Sequence, residues 1–201
     1  MSPEGSAGRR GAGAPHGSIA LIDELETAVA AKDFRRQSQV MRRVTDLFFD
    51  SDSAARPDQA ALFDDVMSRL VGAVDARVRA DVGARLATAP CAPERTLRLL
   101  ALDDSIDVAR PVLEQADGLS ESALVETAQT KSQGHLLAIS RRRSVPVAVT
   151  DVLVDRGDEE VLRSTAGNAG ARFSVDGVAD ARRFLHPEAK RPNPRVARRT
   201  I

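Results

Sequence analysis

The sequence predicts an all-α protein in which N-terminal helices lead into a short α-solenoid of helical hairpins. Apolar residues recur at helical spacing through most of the chain, and Tyr and Trp, which are common in sheet proteins, are absent. A series of residues that each precede a predicted helix recurs at spacings of 27, 26 and 28, namely Ala92, Leu119, Val145 and Phe173. A period of this length is typical of stacked helical hairpins.

The helical domain is expected to cover residues 18–185, and its first part, 18–74, contains three lead-in helices. Ser18 is the expected N-cap of the first helix, Asp33 opens the second, and Pro57 stands in the first turn of the third. The second and third helices are expected to bury apolar faces made of Phe34, Val40, Met41, Val44, Leu47, Phe48, Leu62, Phe63, Val66, Met67, Leu70 and Val74.

Four helical hairpins are expected in residues 75–185. Each unit is too short to bury an apolar face alone, so neighbouring units must stack. The helix pairs are predicted at 76–88 and 93–102, 105–116 and 120–130, 132–142 and 146–156, and 158–166 and 174–184. Pro111 lies inside one of these helices and is expected to kink it.

The two ends of the chain differ in composition from the helical domain. Residues 1–17 are rich in Gly, Ala, Ser and Pro, and we expect them to be disordered. Residues 186–201 combine prolines with Lys and Arg and are predicted to form an extended basic tail. From residue 182 onward there are seven basic side chains and one acid, which leaves 22 basic and 28 acidic side chains before it. The body is therefore mildly acidic, although the formal net charge of the chain is zero.

Cysteine content and hydropathy indicate the compartment. A single cysteine, Cys91, excludes an internal disulfide and a multi-cysteine metal site. No run of 18 or more apolar residues is present, so no membrane-spanning segment is expected. Arg9 and Arg10 are not followed by the apolar stretch of a secretory signal. We therefore expect a cytoplasmic protein without a membrane partner.

Several strings of residues, taken in order, resemble one bacterial family. They are RRVTDLFF (42–49), ALFDDVMSRLV (61–71), LALDDSIDVARPVLEQADGLSESALVETA (100–128), GHLLAISRR (134–142) and AVTDVLVDRGDEEVLRSTAGNAGARFS (148–174). Over about residues 38–176 the chain is similar to the family catalogued as domain of unknown function 2336. Residues 103–110 also resemble the first helix of a HEAT repeat. The resemblance implies an all-helical, HEAT-like fold and supplies no functional residues, because no activity is established for the family.

The reactive side chains do not predict an enzyme. Cys91 lies in a loop between two prolines, and two of the three histidines, His16 and His186, fall in predicted tails. The third histidine, His135, takes the position of Val82, Ala109 and Val161 in the repeat, which favours a packed side chain over a catalytic one.

Cofactor and metal sites are also not expected. Pairs of adjacent acids occur at 64–65, 103–104 and 159–160, but most fall in first helical turns, where carboxylates interact favourably with the helix dipole. Gly167 to Gly170 is typical of a turn between helices and not of a phosphate-binding loop.

Arginines supply the candidate contact surface. Arg141 to Arg143 end a predicted helix, where the helix dipole favours cations, so a structural role would explain them. If further arginines project in the same direction, they form one rim that contacts an anion or an acidic partner. The candidates are Arg141, Arg142, Arg143, Arg156, Arg163 and Arg172. A second group, Arg35, Arg36, Arg42 and Arg43, is predicted to be a solvated helix face.

Three hypotheses for function follow. The first is a non-catalytic protein-binding scaffold or regulatory adaptor, because stacked hairpins form an extended surface. The second is a nucleic-acid-binding HEAT-like protein, with a role in DNA repair as one form, which the basic tail favours and the acidic body opposes. The third is a self-assembling structural element, with a homodimer as one form, because an uncapped end of a repeat array tends to associate.

Overall fold

The computed structural model describes residues 34–50 and 57–178, and every named secondary-structure element within these ranges is an α-helix, which confirms the all-α prediction. The helices are α1 (Phe34–Asp50), α2 (Pro57–Val71), α3 (Ala76–Leu86), α4 (Glu94–Ala101), α5 (Ile106–Gln115), α6 (Glu121–Thr130), α7 (Gln133–Ser140), α8 (Val147–Arg156) and α9 (Glu159–Gly167). A further helical turn starts at residue 175. The predictions for residues 1–17, for the first lead-in helix, for residues 179–185 and for the tail 186–201 lie outside the described residues.

The helices form two rows. Each helix packs against the helix two positions further along the chain, so α1, α3, α5, α7 and α9 form one row, and α2, α4, α6 and α8 form the other. This is the contact pattern that stacked hairpins require, because each unit covers the apolar face of the next. One apolar core runs between the rows from Val40 to Val161. A second small cluster of Val154, Leu162 and Phe173 lies at the end of the array.

Capping residues set the register of the first row. The N-caps of α3, α5, α7 and α9 are Asp75, Ser105, Ser132 and Asp158. The third residue after each cap is at most 1 % exposed, namely Val78, Val108, His135 and Val161. The predicted burial of His135 is therefore confirmed.

The sequence period had aligned His135 with Val82 and Ala109, and this alignment is wrong. The N-caps of α3 and α5 are 30 residues apart, whereas the later caps follow at spacings of 27 and 26. The first hairpin is longer than the others, so a constant period misplaces its helix by several residues.

Three apolar residues of the lead-in helices were wrongly assigned to the core. Phe34, Leu47 and Leu62 are 69 %, 38 % and 73 % exposed. On α1 the buried stripe runs through Gln37, Val40, Met41, Val44, Thr45 and Phe48. Leu47 lies beside this stripe, about 100° around the helix from Phe48, and so it faces solvent. The solvated arginine face predicted for α1 is confirmed, because all four arginines are exposed.

Candidate functional site

The loops of the array lie along two edges. We call the first the turn edge; it contains the loops within the hairpins, 87–93, 116–120, 141–146 and 168–174. We call the second the junction edge; it contains the loops between the hairpins, 72–75, 102–105, 131–132 and 157–158. Long-range hydrogen bonds join loop to loop along each edge, as the following contacts show.

Arg142 is the central structural residue of the turn edge. Its side chain is buried, with 7 % of the residue exposed, and it reaches back to the carboxyl end of α5. Nη1 donates to the carbonyl of Leu113 at 2.6 Å, and Nη2 donates to that of Ala116 at 2.8 Å. Arg142 therefore caps the preceding unit with a charged donor, which the negative end of the α5 dipole favours.

Burial lowers the pKa of Arg142, and the nearby carboxylate of Asp117 partly opposes this effect. Arginine nevertheless stays charged in proteins because its ordinary pKa is so high. Its Nε has no partner among the described residues, while both terminal nitrogens are bonded. This guanidinium is enclosed by the fold and is not presented to a partner.

Asn168 performs the same task one unit later. It follows α9 as Arg142 follows α7, and its Nδ2 donates to the carbonyls of Ser140 and Arg142, both at 2.7 Å. Its Oδ1 accepts from the amide of Gly170 at 2.8 Å and so fixes the turn after α9. The turn between helices predicted for residues 167–170 is confirmed. Arg142 and Asn168 each donate hydrogen bonds to carbonyls at the helix end of the preceding unit.

The loops that carry Arg143 and Arg172 are joined by their backbones. The amide of Val145 donates to the carbonyl of Gly170 at 3.0 Å, and the amide of Arg172 donates to the carbonyl of Val145 at 3.0 Å. A Cβ at residue 170 would lie 2.0 Å from the carbonyl oxygen of Arg143, so only glycine allows this approach. The two arginines are therefore held on one rigid part of the turn edge.

Three of the six predicted contact residues are exposed at this edge. Arg141 is the C-cap of α7, and its side chain lies 3.7 Å from a carboxylate oxygen of Glu114. Arg143 and Arg172 are exposed, and their side chains make no hydrogen bond or ion pair within the described residues. The structure thus brings Arg141, Arg143 and Arg172 together on one edge.

Apart from the buried Arg142, the remaining two predicted contact residues lie elsewhere. Arg156 ends α8 at the junction edge, where its Nη1 donates to the carbonyl of Ala128. Arg163 lies within α9 and pairs with Glu159 one turn earlier. Neither projects from the turn edge.

An open pocket of about 160 Å³ lies between α5 and α7. It is lined by Arg110, Glu114, Gly134, Leu137, Ala138 and Arg141. Arg110 is exposed and makes no side-chain contact of the hydrogen-bonding or ionic kind with the described residues. Sequence reasoning missed Arg110 and Glu114. The spacing of 110, 114 and 141 would have suggested them only if α5 and α7 had been known to be neighbours.

At the junction edge, Asp103 is a centre of hydrogen bonds. Its Oδ2 accepts from Nε of Arg79 at 2.6 Å, and its Oδ1 accepts from the amide of Ser105 at 2.9 Å. His135 Nε2 lies 2.9 Å from the carbonyl oxygen of Asp103, and its Nδ1 lies 2.8 Å from Ser132 Oγ. The carbonyl can only accept, so Nε2 carries the proton. His135 thus ties α7 to the loop before α5.

A polar link that the sequence did not reveal joins the lead-in helices to the hairpins. Asp64 lies in the middle of α2, not in a first turn, and is 7 % exposed. Its carboxylate accepts from the amides of Arg95 and Thr96 at 2.9 and 2.8 Å, and also from the Thr96 hydroxyl at 2.8 Å. Pro93, the N-cap residue of α4, cannot cap with its own side chain, and Asp64 supplies the missing acceptor.

The chemistry available at the turn edge is recognition by charge. Guanidinium groups bind carboxylates and phosphates through paired N–H donors. Over 34–50 and 57–178, no three His, Cys, Asp or Glu side chains lie close enough together to hold a metal ion. No helix in the same ranges is long and apolar enough to cross a membrane.

Comparison with known proteins finds a family that is similar to part of the chain. No curated protein and no solved structure gives a significant match to it. The family described as uncharacterised protein conserved in bacteria (DUF2336) matches residues 108–189. This stretch starts in α5, includes the whole of α6, α7, α8 and α9, and contains the three exposed arginines of the turn edge. The match is to the same bacterial family that the sequence resemblance named.

Proposed function

We propose that this protein is a non-catalytic protein-binding scaffold or regulatory adaptor of the bacterial cytoplasm, which binds an acidic segment of a protein partner at the turn edge. The observation that carries the proposal is the state of the arginines there. Arg143 and Arg172 are exposed without a side-chain partner in the described chain, and Arg141 has only a long contact with Glu114.

This arrangement favours binding because little has to be broken first. Within residues 34–50 and 57–178 neither guanidinium has a carboxylate to give up, so an acidic partner displaces only water from Arg143 and Arg172 there. The backbone that carries them is fixed by the pair of hydrogen bonds at Val145, so little main-chain freedom is lost on binding. Exposed charges of one sign also steer an oppositely charged partner to the surface.

A protein partner is favoured over nucleic acid by the charge and composition of the chain. Before residue 182, acidic side chains outnumber basic ones by 28 to 22, so a long phosphate backbone would meet net repulsion. The chain also lacks Trp and Tyr, the residues on which unpaired bases most often stack. A short acidic segment can approach one cationic edge without contacting the rest of the surface.

Affinity enrichment from the native bacterium tests the proposal. The wild type is compared with the double variant Arg143→Glu/Arg172→Glu and with Arg42→Glu/Arg77→Glu as a matched control. Arg42 and Arg77 are also exposed and free of side-chain partners within the described ranges, but they lie on α1 and α3.

We expect quantitative mass spectrometry to show one acidic partner that the wild type and the control enrich and that the turn-edge variant loses. The proposal fails if no protein is enriched specifically, or if both double variants retain or lose the same proteins.

A further inference from the structure

The pocket between α5 and α7 has an excess of positive charge. It contains two arginines, Arg110 and Arg141, and one acid, Glu114. Arg110 is unpaired in the described chain, whereas the nearest contact between Arg141 and Glu114 is 3.7 Å, longer than a hydrogen bond. One full positive charge in this pocket therefore lacks a close counterion.

The floor of the pocket is made of small and apolar side chains. Gly134, Leu137 and Ala138 belong to α7 and line the pocket together with the charged residues. The two helices approach closely at this point, because a Cβ at residue 134 would lie 3.3 Å from Cγ1 of Ile106 on α5. Such a floor accepts the aliphatic part of a side chain while the arginines bind its charged end.

We infer that this pocket is a subsite for a glutamate or aspartate side chain of the partner, an inference that rests on the proposed function. Arg141 belongs to both surfaces, because it ends α7 at the turn edge and also lines the pocket. An acidic segment bound along Arg143 and Arg172 can therefore continue past Arg141 and place one carboxylate between Arg141 and Arg110.

Glu114 has a definite part in this inference. Among the described residues it is the only carboxylate that lines the pocket, and its side chain is 23 % exposed. A bound carboxylate would replace Glu114 as the partner of Arg141, and the negative charge of Glu114 would repel it. Glu114 therefore acts as a competitor, and its neutralisation strengthens binding, whereas loss of Arg110 weakens it.

Titration with a defined acidic probe tests this inference. A fluorescently labelled peptide of eight glutamates is titrated with the full chain at about 0.1 M salt, where the Debye length is about 10 Å, and the Kd is obtained from anisotropy. Arg110→Ala is compared with Arg77→Ala, and Glu114→Gln is compared with Asp81→Asn. Asp81, like Arg77, is an exposed residue of α3 without side-chain partners among the described residues, so each control carries the same change in charge.

We expect Arg110→Ala to weaken binding by about two- to fivefold, the effect of losing one exposed ion pair. Glu114→Gln is expected to tighten binding about twofold. The two controls on α3 should change Kd less, because neither residue lines the pocket and salt weakens their longer-range interaction with the peptide. Circular dichroism and urea midpoints verify that the variants are folded.

The outcomes separate the subsite from the proposed function. If the Arg110 and Glu114 variants behave as their controls while Arg143→Glu/Arg172→Glu loses the peptide, the subsite is wrong and the turn-edge proposal stands. If the wild type does not bind the peptide, or binds a peptide of eight glutamines equally well, both are wrong. If a single-stranded oligonucleotide binds more tightly than the acidic peptide, the nucleic-acid hypothesis replaces both.

Discussion

The two edges of the helix array use their charged residues in opposite ways. At the junction edge, charged and polar side chains link one unit to the next. Asp103 accepts from Arg79, Lys131 Nζ lies 2.6 Å from a carboxylate oxygen of Asp104, and Gln133 donates to the carbonyl of Arg156 at 2.8 Å. These charged and polar side chains are paired with neighbouring units and so hold the array together.

At the turn edge, two side chains link neighbouring units, whereas the other arginines of this edge are exposed to solvent. Arg142 and Asn168 clasp the helix ends of the preceding units through carbonyl oxygens. The direct neighbours of Arg142 in sequence, Arg141 and Arg143, are exposed, and Arg143 is unpaired in the described structure. Arginines that are adjacent in sequence thus divide into one that builds the fold and two that are available for recognition.

The largest expected effect is a loss of stability when the buried side chain of Arg142 is removed. Arg142→Ala should lower the free energy of unfolding by about 3 kcal/mol, because it removes the donor to the carbonyl of Leu113 and the shorter of the two bonds to that of Ala116, and it opens a cavity. Arg143→Ala should change it by less than about 0.5 kcal/mol, as expected for an exposed side chain without partners. Urea unfolding followed by circular dichroism measures both, and similar losses in the two variants would contradict the assignment.

A smaller loss is expected at the junction edge. Asp103→Ala removes the acceptor of both Arg79 and the Ser105 amide and should cost about 2 kcal/mol. Asp103→Asn should cost about half as much, because the amide oxygen still accepts from Ser105 while the charge opposite Arg79 is gone. The same urea experiment applies, and an unchanged midpoint in Asp103→Ala would show that this edge does not link the units.

The smallest effect concerns the exposed pair of Asp104 and Lys131. The hydrogen bond and the charge of Lys131 lower the pKa of Asp104 below its usual value. A lowered pKa in the folded state stabilises the protein above the unfolded pKa, and this contribution is lost as the pH falls through the folded value.

Lys131→Met should therefore raise the pKa of Asp104 towards that of an unperturbed aspartate. Carboxyl NMR titration of the wild type and the variant measures the change. Identical titration curves for Asp104 would mean that the pair does not form in solution.

The helices and the family could be predicted from the sequence because both depend on local patterns. Apolar spacing and capping residues such as Ser120 and Asp158 locate helix starts, since their side chains accept from the amide three residues later. Ser174, at the start of the last predicted helix, likewise accepts from the amide of Gly177. The repeat also indicated that His135 would be buried.

The division among the arginines could not be predicted because it depends on contacts between units. Arg142 differs from Arg143 only in facing carbonyls that lie 26 to 29 residues earlier in the chain. Asp64 caps a helix 31 and 32 residues later, and nothing near it in sequence indicates this role. The α5–α7 pocket likewise exists only once the two helices are neighbours. The run of arginines from 141 to 143 does not itself show which side chain binds helix-end carbonyls and which is exposed to solvent.

NMR mapping of the acidic octaglutamate peptide on the isotopically labelled full chain shows which edge of the array binds an acidic segment. We expect the largest amide shifts in the turn-edge loops that carry Arg141, Arg143 and Arg172, and smaller shifts along α5 and α7. The junction-edge loops should be almost unaffected. Shifts concentrated in the junction-edge loops around 102–105, 131–132 and 157–158, or spread evenly over the exposed arginines, would contradict this expectation.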